Sequence, residues 1–281
     1  MKTLIQKIPL EQHESFACRT YTTPHFETNW HKHDEYEIIL IKQGNGTAMI
    51  GDYVNEYRKG DVYFLSGNLP HWFRKTNAAA TGSALVIHFK KEIFESGFIH
   101  TPELGKISKL LAQQHGIFFQ QKLKQQITEH LLAINETKGF ERMLQLLSCL
   151  QAIATGKGYE VIAKEFSDSK NNVNPTIEAV IEYTFKHFRN SITLFEIAHV
   201  AKMTIPTFCR FFKRNIKKSY FDFLRDVRIS HACKMLHSGD MPVIDICYES
   251  GYNSWSHFSK QFKAVKNMTP TAYRKMYGNE F

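Results

Sequence analysis

The C-terminal part of the chain repeats itself, and that repeat restricts the fold more than any other feature. Leu194-Phe-Glu-Ile-Ala is followed by Phe208-Cys-Arg-Phe-Phe-Lys, and Val243-Ile-Asp-Ile-Cys is followed by Phe258-Ser-Lys-Gln-Phe-Lys. Each copy reads as a short helix, a tight turn and a second helix with one apolar face. Phe208, Phe211 and Phe212 point one second helix inward, leaving Pro206, Cys209, Arg210 and Lys213 outside. Phe258, Phe262 and Val265 do the same for the other, leaving Ser256, His257, Ser259, Lys260 and Lys263 outside. Gly251 sits at the second turn, where a left-handed backbone suits glycine. The full periodicity predicts helices over 176–188, 194–200, 206–214, 220–236, 243–249, 255–265 and 270–277. An all-helical unit with two helix-turn-helix motifs follows.

Charge is distributed to match. The chain carries 36 Lys and Arg against 27 Asp and Glu, and 17 of those cations but only 10 of the anions lie after residue 167. A basic unit beside a near-neutral one points to a polyanionic partner for the first and a different task for the second. The polar stretch 167–175, Ser-Asp-Ser-Lys-Asn-Asn-Val-Asn-Pro, reads as the linker. Length alone, 281 residues, favours more than one domain. Cys18, Cys149, Cys209, Cys233 and Cys247 form no Cys-x-x-Cys pair, which argues against a zinc knuckle, a redox site or a disulfide framework. No stretch has the uninterrupted apolar length of a membrane span, and the N-terminus lacks a signal-peptide pattern, so a cytoplasmic location without membrane contact is expected.

The stretch Asp245-Ile-Cys-Tyr-Glu-Ser-Gly-Tyr-Asn-Ser-Trp-Ser-His-Phe-Ser-Lys-Gln-Phe-Lys, with Met268-Thr-Pro-Thr-Ala-Tyr-Arg274, resembles the signature of the AraC/XylS family of transcription regulators. The resemblance extends over about Ile177 to Tyr277. It implies that the two second helices enter successive major-groove segments of duplex DNA, with RNA polymerase as a further partner. By position it assigns base-facing roles to Pro206, Cys209 and Arg210 in one unit, and to Trp255, Ser256, His257 and Lys260 in the other. Lys217 and Asn267 stand where the family commonly has glycine, and Lys217 puts the geometry of the first turn in question.

Up to about residue 90 the texture is strand-like, with Glu37-Ile-Ile-Leu-Ile, Thr47-Ala-Met-Ile, Asp61-Val-Tyr-Phe-Leu and Ala84-Leu-Val-Ile-His-Phe separated by turn residues. Such strands suit a small barrel or a sandwich. From residue 91 to 166 the spacing turns helical, with stripes at Leu123, Ile127, Leu131 and Ile134 and at Phe140, Leu144, Leu147 and Leu150. The two helices are expected to serve dimerisation or signal transfer, making the protein a homodimer. His31-Lys-His33-Asp-Glu-Tyr-Glu37, followed by Gly44, resembles the first cupin motif. Gly60-Asp61 with His71 resembles part of the second, although Ser66, Asn68 and Lys75 depart from it. Strand alternation puts His31, His33 and Glu37 on one face, where His71 from another strand completes a set suited to zinc, iron, manganese or nickel. Packing, hydrogen bonding to an effector, or descent from an enzyme are the alternative reasons for these residues. Trp30, Tyr36, Tyr63, Phe64 and Trp72 are candidates for stacking on a sugar. His13, His25, His88, His100, His115 and His130 read as packing or surface residues.

The fold class expected is therefore α+β and multidomain. A cupin-like barrel occupies 1–90, a helical segment 91–166, the linker 167–175 and a double helix-turn-helix domain 176–281. The function expected is a non-enzymatic DNA-binding regulator responding to a small-molecule effector. Within the family the complete histidine and glutamate set is similar to the branch regulating chitobiose and other oligosaccharide operons, which implies a sugar. Two other readings stay open: a metal-dependent cupin enzyme with a DNA-binding tail, and a constitutive DNA-binding protein with a vestigial barrel.

Overall fold

A computed structural model describes residues 10, 14–23, 30–75, 80–94, 97–113, 115–164, 174–237 and 241–277. Most of the expected linker, 167–173, together with His13 and His25, lies outside the described residues. The chain divides into two compact units, one comprising Thr3–Gly46 and Tyr57–Asn172, the other Val173–Phe281, with which Thr47–Glu56 is grouped.

The N-terminal strands are β1 (Phe16–Thr22), β2 (Tyr36–Gln43), β3 (Gly46–Ile50), β4 (Tyr53–Tyr57), β5 (Val62–Leu65), β6 (His71–Lys75) and β7 (Ser83–Phe89). One sheet has the order β1-β7-β2-β5-β8-β9, where β8 is His115–Phe119 and β9 is Tyr159–Lys164; a second has the order β4-β3-β6. Antiparallel register pairs Glu37 with Leu65 and with His88, so alternate residues of β2, β5 and β7 share faces. Ile38, Leu40, Val62, Phe64, Leu85, Ile87 and Phe89 face the helices α1 (Gly105–Leu111), α2 (Gln121–Glu136) and α3 (Gly139–Thr155) in one continuous core. Each such fully buried side chain contributes about 1.5–3 kcal/mol of transfer free energy. Glu37, Ile39, Tyr63, Leu65, Val86 and His88 take the opposite, inner face.

Two expectations for 91–166 need correction. The segment is not wholly helical: short 3-10 turns precede α1, and β8 and β9 extend the main sheet beyond β5. His115-Gly-Ile-Phe-Phe and Tyr159-Glu-Val-Ile-Ala-Lys are rich in β-branched and aromatic residues but too short to show a period beside the long helices. The stripe of α2 is buried as expected at Leu123, Ile127, Leu131 and Ile134. That of α3 is rotated: Leu146, Cys149, Leu150 and Ile153 are buried, whereas Phe140 is 76 % exposed and Leu144 is also exposed.

The C-terminal unit contains α4 (Pro175–His187), α5 (Leu194–Val200), α6 (Ile205–Ile216), α7 (Tyr220–His237), α8 (Val243–Glu249), α9 (Trp255–Lys266) and α10 (Pro270–Tyr277). Local chemistry marks the starts. The Asn174 side chain accepts from the Thr176 amide with Pro175 in the first turn, and Thr193 with Glu196 closes a capping box on α5. Rings of Phe208, Phe212, Tyr220 and Phe223 form the first half's core, with centroids 5.4–5.6 Å apart. Ile229, Ala232, Cys233, Leu236, Ile246, Cys247, Tyr252, Phe258 and Phe262 form the second.

Both recognition-type helices end alike. Lys217 has φ 62° and its amide donates to Lys213 O; Asn267 has φ 57° and its amide donates to Lys263 O. The first turn thus keeps the left-handed cap despite its lysine, at the steric expense of a Cβ. Lys217→Gly is expected to stabilise the protein by about 0.5–1 kcal/mol, read as a rise in the denaturant midpoint at unchanged slope. An unchanged or lower midpoint would contradict this account of the turn.

Candidate nucleic-acid interface and metal centre

The turn after α8 brings α9 to its place through a single close approach. Gly251 has φ 82°, and a Cβ there would lie 2.6 Å from Phe188 O and 3.0 Å from Arg189 Cα. Arg228, from α7, donates from Nε to Phe188 O at 2.8 Å and from a terminal nitrogen to Asn190 O at 2.9 Å. Its guanidinium also lies over the Tyr252 ring, 5.5 Å from the centroid. One arginine therefore ties the end of α4 to α7 and to the residue following Gly251.

With their phenylalanines buried, α6 and α9 leave the remaining faces in solvent. Pro206, Cys209, Arg210 and Lys213 are exposed on α6, and Ser256, His257, Lys260 and Lys263 on α9, as the apolar spacing predicts; Ser259, expected outside, is half-buried, and Trp255, assigned by the resemblance, is exposed. Thr207 and Arg214 are exposed on α6 as well. The apolar spacing of α6 that places Arg210 and Lys213 outside places these two outside as well. The chemistry available differs between the two helices. Arg210 offers a planar fork that fits guanine O6 and N7, whereas Pro206 has no donor and Cys209 only a weak one. On α9, Ser256, His257 and Lys260 each carry a donor, and Gln261 is hydrogen-bonded to His257 at 3.2 Å.

The inner face of the N-terminal sheets gathers the predicted ligands. Glu37 on β2 lies 3.0 Å from His33 Nε2 and, through its other oxygen, 3.1 Å from His71 Nε2 on β6. The backbones of His31 and His71 bridge, and their rings are 4.3 Å apart. His71 is oriented by its Nδ1, which donates to Leu69 O at 2.8 Å, and His33 Nδ1 lies 3.4 Å from Glu35. All four side chains are buried, so the bundle of donors is shielded from bulk water.

His88 joins them, which corrects its reading as a packing residue. It stands opposite Glu37 in the β2–β7 register and its Nε2 contacts the same carboxylate oxygen as His33. Two overlapping ligand groups result, His31, His33 and His71, and His33, Glu37 and His88, each with its donor atoms within 4.8 Å of one another.

The charges are interdependent. Burial opposes protonation of His33, but the Glu37 charge and hydrogen bonds to Glu35 and Glu37 override it and raise the His33 pKa to about 10. Burial likewise opposes ionisation of Glu37, but His71, His88 and His33 hold its carboxyl well below the usual range. The histidine contribution to stability is complete below its unfolded value and lost as pH rises through about 10. The Glu37 contribution is present above the ordinary carboxylate range and is lost on acidification.

The aromatic candidates divide by strand parity. Tyr63 shares the inner face with Glu37, its ring 5.5 Å from Phe73, which in turn is 5.6 Å from Tyr57. Tyr36 and Phe64 belong to the helix-facing side: Tyr36 stacks on Phe89 at 5.3 Å and donates to Leu111 O. Trp72 alternates with His71 and lies against Arg74, and Trp30 is buried one residue before His31. Tyr36, Phe64 and Trp72 are thereby corrected from pocket lining to packing on the far faces of their strands, because successive side chains of a strand point oppositely.

Comparison with known proteins follows the same division. Residues 20–88 match a model described as a cupin domain, and residues 197–276 match one described as a helix-turn-helix domain. The chain is 25% identical over 256 residues to an uncharacterised HTH-type transcriptional regulator, YdeC, of Bacillus subtilis (strain 168), covering 88% of this chain and 86% of YdeC. It is 20% identical to the HTH-type transcriptional activator RhaR of Mannheimia succiniciproducens, covering 88% and 87% of the two chains. It is 22% identical to the activator RhaS of Klebsiella pneumoniae (strain 342), covering 87% of each. Paired helix-turn-helix units, the two domain matches and relatives aligned over most of their length agree: the chain carries a cupin domain ahead of an AraC-type helix-turn-helix domain and is a DNA-binding transcription regulator.

Proposed function

We propose that the regulator senses a small molecule in its cupin domain, at a divalent transition metal held by His31, His33, Glu37 and His71, with His88 beside Glu37. The observation that carries this reading is the convergence of four imidazoles and one carboxylate, all buried, on the inner face of a domain joined to a DNA-binding unit. Imidazole nitrogens and a carboxylate suit zinc, iron, manganese or nickel; the donors form two overlapping trios, His31, His33 and His71, and His33, Glu37 and His88, each within 4.8 Å, so one ion shared by the proposed four needs side-chain movement. A bound metal would supply a Lewis-acidic point for an effector oxygen. The chain's own residues orient and shield it: Leu69 O fixes the His71 tautomer, and Glu35 holds His33. A sugar is the effector class we assign; Tyr57, Tyr63 and Phe73, buried edge-to-face against one another on the inner face, are the rings that would have to part to stack on a pyranose.

Assembly as a homodimer through α2 and α3 belongs to the same proposal. Its support is the exposure of Phe140, Leu144 and Leu132 on these helices, an apolar set that association would cover. RNA polymerase is proposed as the partner at the promoter, in keeping with the activators among the relatives.

Metal analysis of untagged full-length protein purified without chelator tests the sensor reading. About one equivalent of one transition metal per chain is expected, with His33→Ala lowering loading at least tenfold at equal protein recovery. Because the metal must displace the proton of His33, raised to about 10, loading should release protons and weaken as pH falls. Less than a tenth of an equivalent, with an effector response unchanged in His33→Ala, would overturn the metal and leave the DNA-binding function as it stands.

A further inference from the structure

Away from the inner-face histidines, the outer face of the main sheet carries a cavity of about 180 Å3. Its floor is His115 and Ile117 of β8 with Tyr159 and Val161 of β9; Leu110 of α1 and Ile153 of α3 wall it, and Lys106, Lys109 and Gln113 stand at its rim. It lies at the edge of the sheet, where β9 leaves Tyr159 and Val161 exposed.

His115 makes the cavity a site rather than a packing gap. The residue is 5 % exposed, and its backbone amide is held by Ser66 Oγ at 2.9 Å with its ring 5.8 Å from that of Phe64. Its imidazole makes no hydrogen bond with another described residue, and its nitrogens are not among the sealed, unpartnered side-chain atoms, so they reach the open space of the cavity. Burial lowers its pKa, so the ring is neutral near pH 7 and offers one donor and one acceptor toward the cavity. A polar group inside, two cations at the rim and an aliphatic wall make an amphipathic receptor. An empty apolar cavity of roughly 150 Å3 accepts a benzene ring, which sets the size of the occupant.

We propose that this cavity is a second ligand site, separate from the inner-face cluster, for a small organic monocarboxylate: the carboxylate meets Lys106, Lys109 and the His115 imidazole, and an apolar body of benzene or short-chain size lies on Leu110, Ile117, Ile153 and Val161. The lysines supply charge and the wall supplies burial, so neither an inorganic anion nor an uncharged alcohol satisfies the whole site. The ligand would join α1, α3 and the edge strand β9, the last element before residue 165. The proposal does not depend on the metal or on the sugar.

Calorimetric titration of the full-length protein with benzoate and hexanoate tests it, with benzyl alcohol and hexan-1-ol as uncharged controls. Saturable one-site binding of at least one carboxylate is expected, with the matching alcohol about tenfold weaker. Lys106→Ala/Lys109→Ala, a surface change that leaves the core intact, should weaken carboxylate binding about tenfold, and His115→Phe should do so as well. Hydrogen exchange should slow in Tyr159–Ala163 on binding, and His33→Ala should leave all of this unchanged. The proposal fails if neither acid binds saturably up to about 10 mM, a weak affinity for ligands of this size. It fails equally if the alcohols bind as well as the acids, or if the lysine double variant binds like the parent.

Discussion

Gly251→Ala is expected to cost about 3 kcal/mol and, with it, the placement of α9. A Cβ at a left-handed residue costs roughly 1–2 kcal/mol, and forcing a methyl into packed backbone adds roughly 1–3 kcal/mol. Here the obstacle is backbone, Phe188 O at 2.6 Å and Arg189 Cα at 3.0 Å, which cannot rotate away as a side chain would. Relief requires the end of α4 to retreat, and that stretches the Arg228 hydrogen bonds to Phe188 and Asn190. Gly60→Ala is the internal control. Gly60 also has positive φ, 85°, but nothing lies within 4 Å of the added Cβ, so only the backbone term of about 1 kcal/mol remains. Denaturant unfolding of both variants reads the difference; equal midpoints would mean that the close approach at Gly251 carries no energetic weight.

Raising salt from about 50 to 200 mM is expected to weaken DNA binding about a thousandfold, if about six phosphates are neutralised. The physical cause is the entropy of counterions released from the duplex when cations replace them. Arg210, Lys213 and Arg214 on α6 and Lys260 and Lys263 on α9 are all exposed, away from the buried phenylalanines of their helices. Lys213→Ala or Lys263→Ala should reduce the steepness of the salt dependence by about one phosphate, with similar losses on any sequence. Fluorescence anisotropy across a salt series gives the slope directly. A slope near zero would show that these cations do not meet the backbone.

How much the sequence disclosed depended on whether the determining contacts were local. The seven helices of the C-terminal unit were legible from their apolar period, with side-chain caps where Asn174 starts α4 and Thr193 and Glu196 start α5, and with Gly251 turning after α8; α6, α8 and α9 start without a side-chain cap. His31, His33 and Glu37 were legible as a short motif, but not through the strand alternation expected of them: only Glu37 lies on a strand, His31 forms an isolated bridge with His71, and a bend at Asp34 and Glu35 separates His33 from β2. His88 was not, since it reaches Glu37 across 51 residues through a strand register that no spacing encodes. Strands β8 and β9 were hidden between long periodic helices, and their pairing partners are distant in sequence. In α3 apolar residues occupy more than one face, so Phe140 and Leu144 formed as regular a stripe as the buried Leu146, Cys149 and Ile153. Parity within β2, β5 and β6 separates Tyr63 from Tyr36, Phe64 and Trp72; that rule was available, but which face holds the ligands had to be applied strand by strand.

Selection from a random duplex library by the full-length protein shows whether α6 and α9 read a defined DNA sequence. Enrichment of one motif spanning two successive major-groove segments on one face is expected, bound about a thousandfold or more tighter than random duplex at matched salt. Arg210→Ala and Lys260→Ala should each lose about 1–3 kcal/mol on the selected motif and relax preference at one base position. Recovery of folded protein that enriches no motif at low salt, and binds every duplex alike, would contradict sequence readout by these helices.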